Sequence, residues 1–218
     1  MNKKQKIALV FNIAIFLLVV VGCVLCFNVK SDPLGHAIKV LNYFTIQSNI
    51  FAGITSFVYI IFLVRANKSN KKIPKAVCIL RYIATIDLIL TFLVVTLFFG
   101  FIAEKGYLSM FENANLFFHL IIPVTNFVSF VFFENELKFK ISYTLFGLIH
   151  VVIYCIYYII VYLSHYENGE VPEKYDWYYL TKFGIGWAFV IAIVTVAIGY
   201  LISFVLYKTK NRIIQKES

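Results

Sequence analysis

The chain has 218 residues, 61% of them hydrophobic and only 14% charged. A soluble domain carries about 25% charged residues, so a water-soluble globular fold is excluded. The net charge of +9 does not indicate nucleic-acid binding, because the basic residues gather between apolar runs and form no stripe interleaved with exposed aromatics.

The first apolar run, 7–27, follows Lys3, Lys4 and Lys6. Its "VVGC" at 20–23 fits a permissive lipoprotein cleavage pattern, but apolar sequence continues past Cys23 to Phe27, which favours a first membrane span. Further spans are predicted at 38–64, 76–101, 114–133, 141–163 and 184–207, each about the length a bilayer requires. Polar turn segments separate them: "KSDPLG", "NKSNKKIP", "EKGYLS", "ENELKFK" and "HYENGEVPEKYD". The expected fold is all-α, a single domain over 1–218 made of six transmembrane helices in one bundle.

An even number of spans puts both termini on one side. That side carries fourteen Lys and Arg in its flanks and connections, against five (Lys30, Lys39, Lys105, Lys174 and Lys182) on the other, with Arg81 inside a span. The positive-inside rule therefore places both termini in the cytoplasm. Cys23, Cys26, Cys78 and Cys155 all lie within apolar runs and read as small membrane-buried residues. No zinc, haem or phosphate-loop motif is present, so neither a metal nor a cofactor is expected.

Polar groups inside a bilayer are costly and face the bundle interior or a cavity. In span two, Asn42, just ahead of "YFTIQSN" (43–49), and Thr45 and Asn49 within it follow at helical spacing, flanked or extended by Ser48 and Ser56. Span four repeats the pattern with Asn115, His119 and Asn126, and Pro123 frees a backbone carbonyl near His119. Such stripes commonly serve as interhelical hydrogen-bonding glue. Both spans run from outside to inside, however, which sets Thr45 about 10 Å and His119 about 7–8 Å below the outer end. A hydroxyl and an imidazole at matched depth are the minimum parts for nucleophilic acyl transfer. Asn49 or Asn115 would orient the base or donate to an oxyanion. Asp87 and His150 lie deeper and level with one another, as a buried pair or as a proton relay. Arg81 is expected to snorkel or to pair with Glu134 or Glu136. Tyr154, Tyr157, Tyr158 and Tyr162 combine cavity lining with interface belting, and the loop at 167–180, with Trp177, reads as an interfacial aromatic loop or a lid.

The six-span order, with "FTIQSN" in span two, "FFHLIIP" in span four and a proline-then-"DWYY" segment before span six, resembles the androgen-induced-protein (FAR-17a-like) family, which has many small bacterial relatives. The resemblance implies an intramembrane threonine hydrolase of fatty acid esters of hydroxy fatty acids, in a bacterial plasma membrane. It implies Thr45 as nucleophile and His119 as base, with membrane lipids and a fatty-acyl ester as the partners. The competing expectation is a small proton-coupled transporter or channel that uses Asp87 and His150. A third is a scaffold without catalysis.

Overall fold

The structure, a computed structural model, describes residues 1–28, 39–103 and 106–217. "KSDPLG", Ile38, Lys30 and Lys105 lie outside the described residues. Among the described residues, six helices are long and apolar enough to cross a membrane: α1 (Lys3–Phe27), α2 (Phe44–Ser69), α3 (Lys75–Phe99), α4 (Ala114–Phe133), α5 (Tyr143–Ser164) and α6 (Gly186–Lys216). The chain is thus a multi-pass integral membrane protein, and both termini project from one face, called here the terminal face.

α1 starts from a capping box in which the Asn2 side chain accepts from the Gln5 N–H at 2.9 Å and the Gln5 side chain accepts from the Asn2 N–H at 3.1 Å. Pro74 stands just ahead of α3 and Asn70, with φ +56°, closes α2, both helix-boundary residues. The predicted spans agree with the helices to within a few residues in four cases. The start of span two and the end of span six differ. α2 begins at Phe44 because Tyr43 is extended (φ −78°, ψ 133°), so Asn42 sits in the turn before the helix. α6 continues past residue 207 through the basic tail.

α3 is the central helix, with 56% of its most apolar stretch buried against 22% for α6. α2 and α4 pack on one side of it, with α1 outside them across α2 and α4, and α5 with α6 covers the other side. Small residues allow the close approaches expected where lipid supplies no hydrophobic drive between helices. A Cβ on Gly53 would lie 2.9 Å from Val19 of α1, and one on Gly147 would meet Ile86 of α3 and lie 2.6 Å from Ser203 Oγ of α6. Gly147→Ala is expected to destabilise the bundle by about 1–3 kcal/mol through overpacking, read as a lowered midpoint of unfolding in detergent.

A polar layer ties the helices together near the terminal face. Arg81 is wholly buried and clamps Glu134 through Nη2 to Oε1 at 2.8 Å and Nε to Oε2 at 3.1 Å. Its Nη1 donates to Ser56 Oγ at 2.9 Å, while Asn12 Nδ2 (2.9 Å) and Ser129 Oγ (2.7 Å) complete the Glu134 carboxylate. The snorkelling alternative for Arg81 is therefore corrected: the guanidinium finds its partners inside the protein. Burial pushes the Glu134 carboxyl up, but the Arg81 charge and these donors override it and hold the group below its ordinary range.

Glu136 behaves in the opposite way. Burial, then the Glu134 charge, push it up to about 7, although Tyr59 OH donates to Oε1 at 3.0 Å. Its folded value exceeds the unfolded one, so the folded state binds the extra proton between about 4.5 and 7. Stability is expected to fall as pH rises through that window. Glu136→Gln is expected to flatten this dependence, which chemical unfolding between pH 5 and 8 measures.

Candidate functional site

At the face opposite the termini, α2 opens with the polar stretch noted in the sequence. Its residues turn about 100° each, and two of its side chains fix where the others point. Ser48 Oγ lies 3.1 Å from Thr91 Oγ1 on α3, and Asn49 Nδ2 donates to the Phe118 carbonyl on α4 at 3.1 Å. Thr45, half-buried in the first turn, projects between these two directions, towards the seam of α3 and α4. Gln47 turns back, donating from Nε2 to the Leu41 carbonyl at 2.8 Å.

His119 follows Phe118, whose carbonyl Asn49 engages, on α4. It lies in a π-helical turn, Phe117–Ile121, next to Pro123, which lacks the N–H that a regular helix would use at this point. The imidazole is 7% exposed, and its Nδ1–H donates to the Met110 carbonyl at 2.6 Å. A carbonyl only accepts, so this bond selects the Nδ1–H tautomer and puts the lone pair on Nε2. Met110 belongs to the short 3-10 turn Tyr107–Phe111, an irregular connection that carries no sequence signal for such a role.

Asn49 joins the two halves of the site. Besides the Phe118 carbonyl, its Nδ2 donates to the Thr45 carbonyl at 2.7 Å, so one amide bridges the backbones at the proposed nucleophile and base. Both of its N–H bonds are thereby used, which corrects the expectation that it supplies an oxyanion donor; its Oδ1 is buried and unpaired. Asn115, half-buried one turn before His119, is the remaining candidate amide. No hydrogen bond joins Thr45 to His119 among the described residues. Asn42 stands apart from the stripe: its carbonyl accepts from Tyr154 OH at 2.8 Å and its Oδ1 from Tyr157 OH at 2.9 Å. These hydroxyls satisfy the turn that interrupts the predicted helix.

The loop before α6 folds down onto this end of the bundle. Trp177 is 4% exposed, packed within the protein, and its Nε1 donates to Tyr154 OH at 2.9 Å. Tyr178 OH accepts from the Phe44 N–H at 3.2 Å, capping α2 in place of a side chain of its own. Tyr154, Tyr158 and Tyr162 form the buried face of α5, and Tyr158 OH donates to Asp176 at 2.7 Å. Tyr157 is 40% exposed.

A second polar centre lies between α3 and α5. Asp87 is wholly buried, and its Oδ2 is 2.6 Å from His150 Nδ1. The Arg81–Ser56 bond aligns α3 with α2; from that level Asp87 is six residues towards the far face and Thr45 eleven. The two centres are thus separated by about 7–8 Å in depth. Thr91, one turn beyond Asp87 and paired with Ser48, lies between them. Among the described residues no three of His, Cys, Asp or Glu converge as metal ligands.

Compared with models of known protein families, with curated proteins and with solved structures, the chain matches none.

Proposed function

We propose that the protein is an intramembrane hydrolase of fatty-acyl esters, with Thr45 as nucleophile and His119 as base. The observation that carries this reading is the His119 Nδ1–Met110 bond, which leaves Nε2 basic one residue from the Asn49–Phe118 contact that ties the Thr45 turn to α4. The Asn49 bridge holds that turn of α2 against α4. The absence of a direct Thr45–His119 bond accords with catalytic contacts that tighten when substrate is bound.

In the first step Thr45 Oγ1 attacks the ester carbonyl and His119 Nε2 takes its proton, giving a tetrahedral oxyanion. Collapse of the oxyanion breaks the bond to the alcohol oxygen, which leaves with the proton from His119, and an acyl-Thr45 ester remains. In the second step His119 removes a proton from water as the water oxygen attacks that ester. Release of Thr45, reprotonated by His119, yields the carboxylic acid. The Asn115 amide is the candidate donor to the oxyanion. An apolar surround suits the acyl chains. The terminal face is cytoplasmic by its positive charge, so the site opens in the outer leaflet of a bacterial plasma membrane. The fatty acid esters of hydroxy fatty acids remain the substrate class suggested by the family resemblance.

A fluorophosphonate probe tests the assignment. Mass spectrometry of the labelled protein is expected to locate the adduct on Thr45, with labelling lost in Thr45→Ala and in His119→Ala. An adduct that persists unchanged in Thr45→Ala would remove Thr45 from the reaction.

A further inference from the structure

The Asp87–His150 centre plays no part in the chemistry above. His150 spends Nδ1 on Asp87, and its imidazole is wedged between the rings of Phe44 and Phe51 of α2, each with centroids 5.4 Å away. The side chain is nevertheless 23% exposed, so it opens onto the cleft between α2 and α5. That cleft is bridged by aromatic contacts, Phe44 also lying 5.1 Å from Tyr154. Among the described residues His150 Nε2 has no hydrogen-bond partner. Asp87 Oδ1 is buried and also without a partner, so the negative charge of the carboxylate is answered by His150 alone.

A polar nitrogen facing hydrocarbon without a partner costs several kcal/mol, because the bilayer interior offers no water to satisfy it. A ligand arriving from the bilayer supplies the partner that the helices do not. When His150 is an imidazolium balancing Asp87, Nε2–H is a charge-assisted donor that calls for an acceptor. When it is neutral, Nε2 is an acceptor that calls for a donor. A carboxylic acid head satisfies both states, exchanging one proton with the ring; an ester carbonyl satisfies only the first, and a hydroxyl offers both roles but no charge to pair with the imidazolium. The flanking Phe44 and Phe51 rings suit the methylenes next to such a head.

We infer that the Asp87–His150 centre is a head-group site for a long-chain carboxylic acid, which reaches it from the bilayer between α2 and α5. This goes beyond the hydrolase reading and does not depend on it. Where both hold, the site receives the acid that hydrolysis releases, and it predicts product retention.

Purified protein in nanodiscs titrated with labelled palmitic acid tests the inference, with hexadecanol and methyl palmitate as competitors. Saturable binding is expected in the wild type and equally in Thr45→Ala, which separates this site from the proposed catalytic one. His150→Phe, which keeps an aromatic ring between Phe44 and Phe51, is expected to weaken binding by about tenfold or more, the worth of a charge-assisted hydrogen bond; Asp87→Asn should act in the same direction. Methyl palmitate and hexadecanol are both expected to compete poorly, and competition by hexadecanol as strong as that of unlabelled palmitic acid would also overturn the inference. Equal competition by the methyl ester, or unchanged affinity in His150→Phe, would show apolar partitioning only and overturn the inference. A measurement on the wild type alone covers the case in which these variants fail to fold. The carboxyl-carbon chemical shift of bound, isotope-labelled palmitic acid should differ from its value in protein-free nanodiscs, and an identical shift also rejects the site.

Discussion

Thr45→Ala protein, folded and reconstituted, is expected to lose hydrolysis of long-chain acyl esters by about 10³-fold or more, as expected when the nucleophile of a coupled pair is deleted. His119→Ala should lose nearly as much, and the double variant little more than either, because the two groups act as a unit. Thr45→Ser retains a hydroxyl and is expected to keep measurable turnover, which a purely structural role for Thr45 does not require. Asn49→Ala removes the amide that ties α2 to α4. It is expected to lower both stability and turnover without changing which residue a fluorophosphonate labels. Hydrolysis that survives in Thr45→Ala at the wild-type rate would refute the assignment. Steady-state kinetics on a chromogenic acyl ester, beside a thermal melt of each variant, provides the comparison.

The largest stability effect is expected at Arg81. Replacing it with methionine leaves the buried Glu134 facing Asn12 and Ser129 without its counter-charge. Removing one member of a buried pair typically costs about 3–5 kcal/mol, most of it the penalty of stranding the other charge. Arg81→Met with Glu134→Leu removes both charges and is expected to recover most of that loss. The polar groups of Ser56, Asn12 and Ser129 would then lack their central acceptor or donor, so recovery should fall short of the wild type. Chemical unfolding of the three proteins in one detergent decides the matter, and a double variant as unstable as the single one would show that the loss comes from packing instead of stranded charge.

The apolar runs made the bundle legible, because a bilayer demands helices of nearly fixed length whatever their packing. Counting residues from the predicted span ends also brought Asp87 and His150 to one level, since helical rise is constant. What escaped prediction depended on irregular backbone. Asn42 carried the spacing of a helical stripe, yet the Tyr154, Tyr157 and Tyr178 hydroxyls hold an extended break beside it, and nothing in "YFTIQSN" announces partners more than a hundred residues away. Trp177 had the composition of an interfacial belt; its indole N–H instead found a partner beneath the loop. The part played by Met110 rests on a carbonyl, a group every residue has, so no side-chain pattern identifies it. Thr91, by contrast, was within reach of sequence reasoning, standing four residues from Asp87 on the same helical face.

Lys210 of α6 donates to the Phe130 carbonyl, to the Val131 carbonyl at 3.2 Å and to Asn135 Oδ1 at 2.6 Å, and Asn211 exchanges two hydrogen bonds with the Phe139 backbone. The last turn of α4 thus borrows its closure from the final helix of the chain. During synthesis, four helices can be threaded into the bilayer while these carbonyls still lack their lysine. These bonds therefore form only once α6 has emerged and docked against α4.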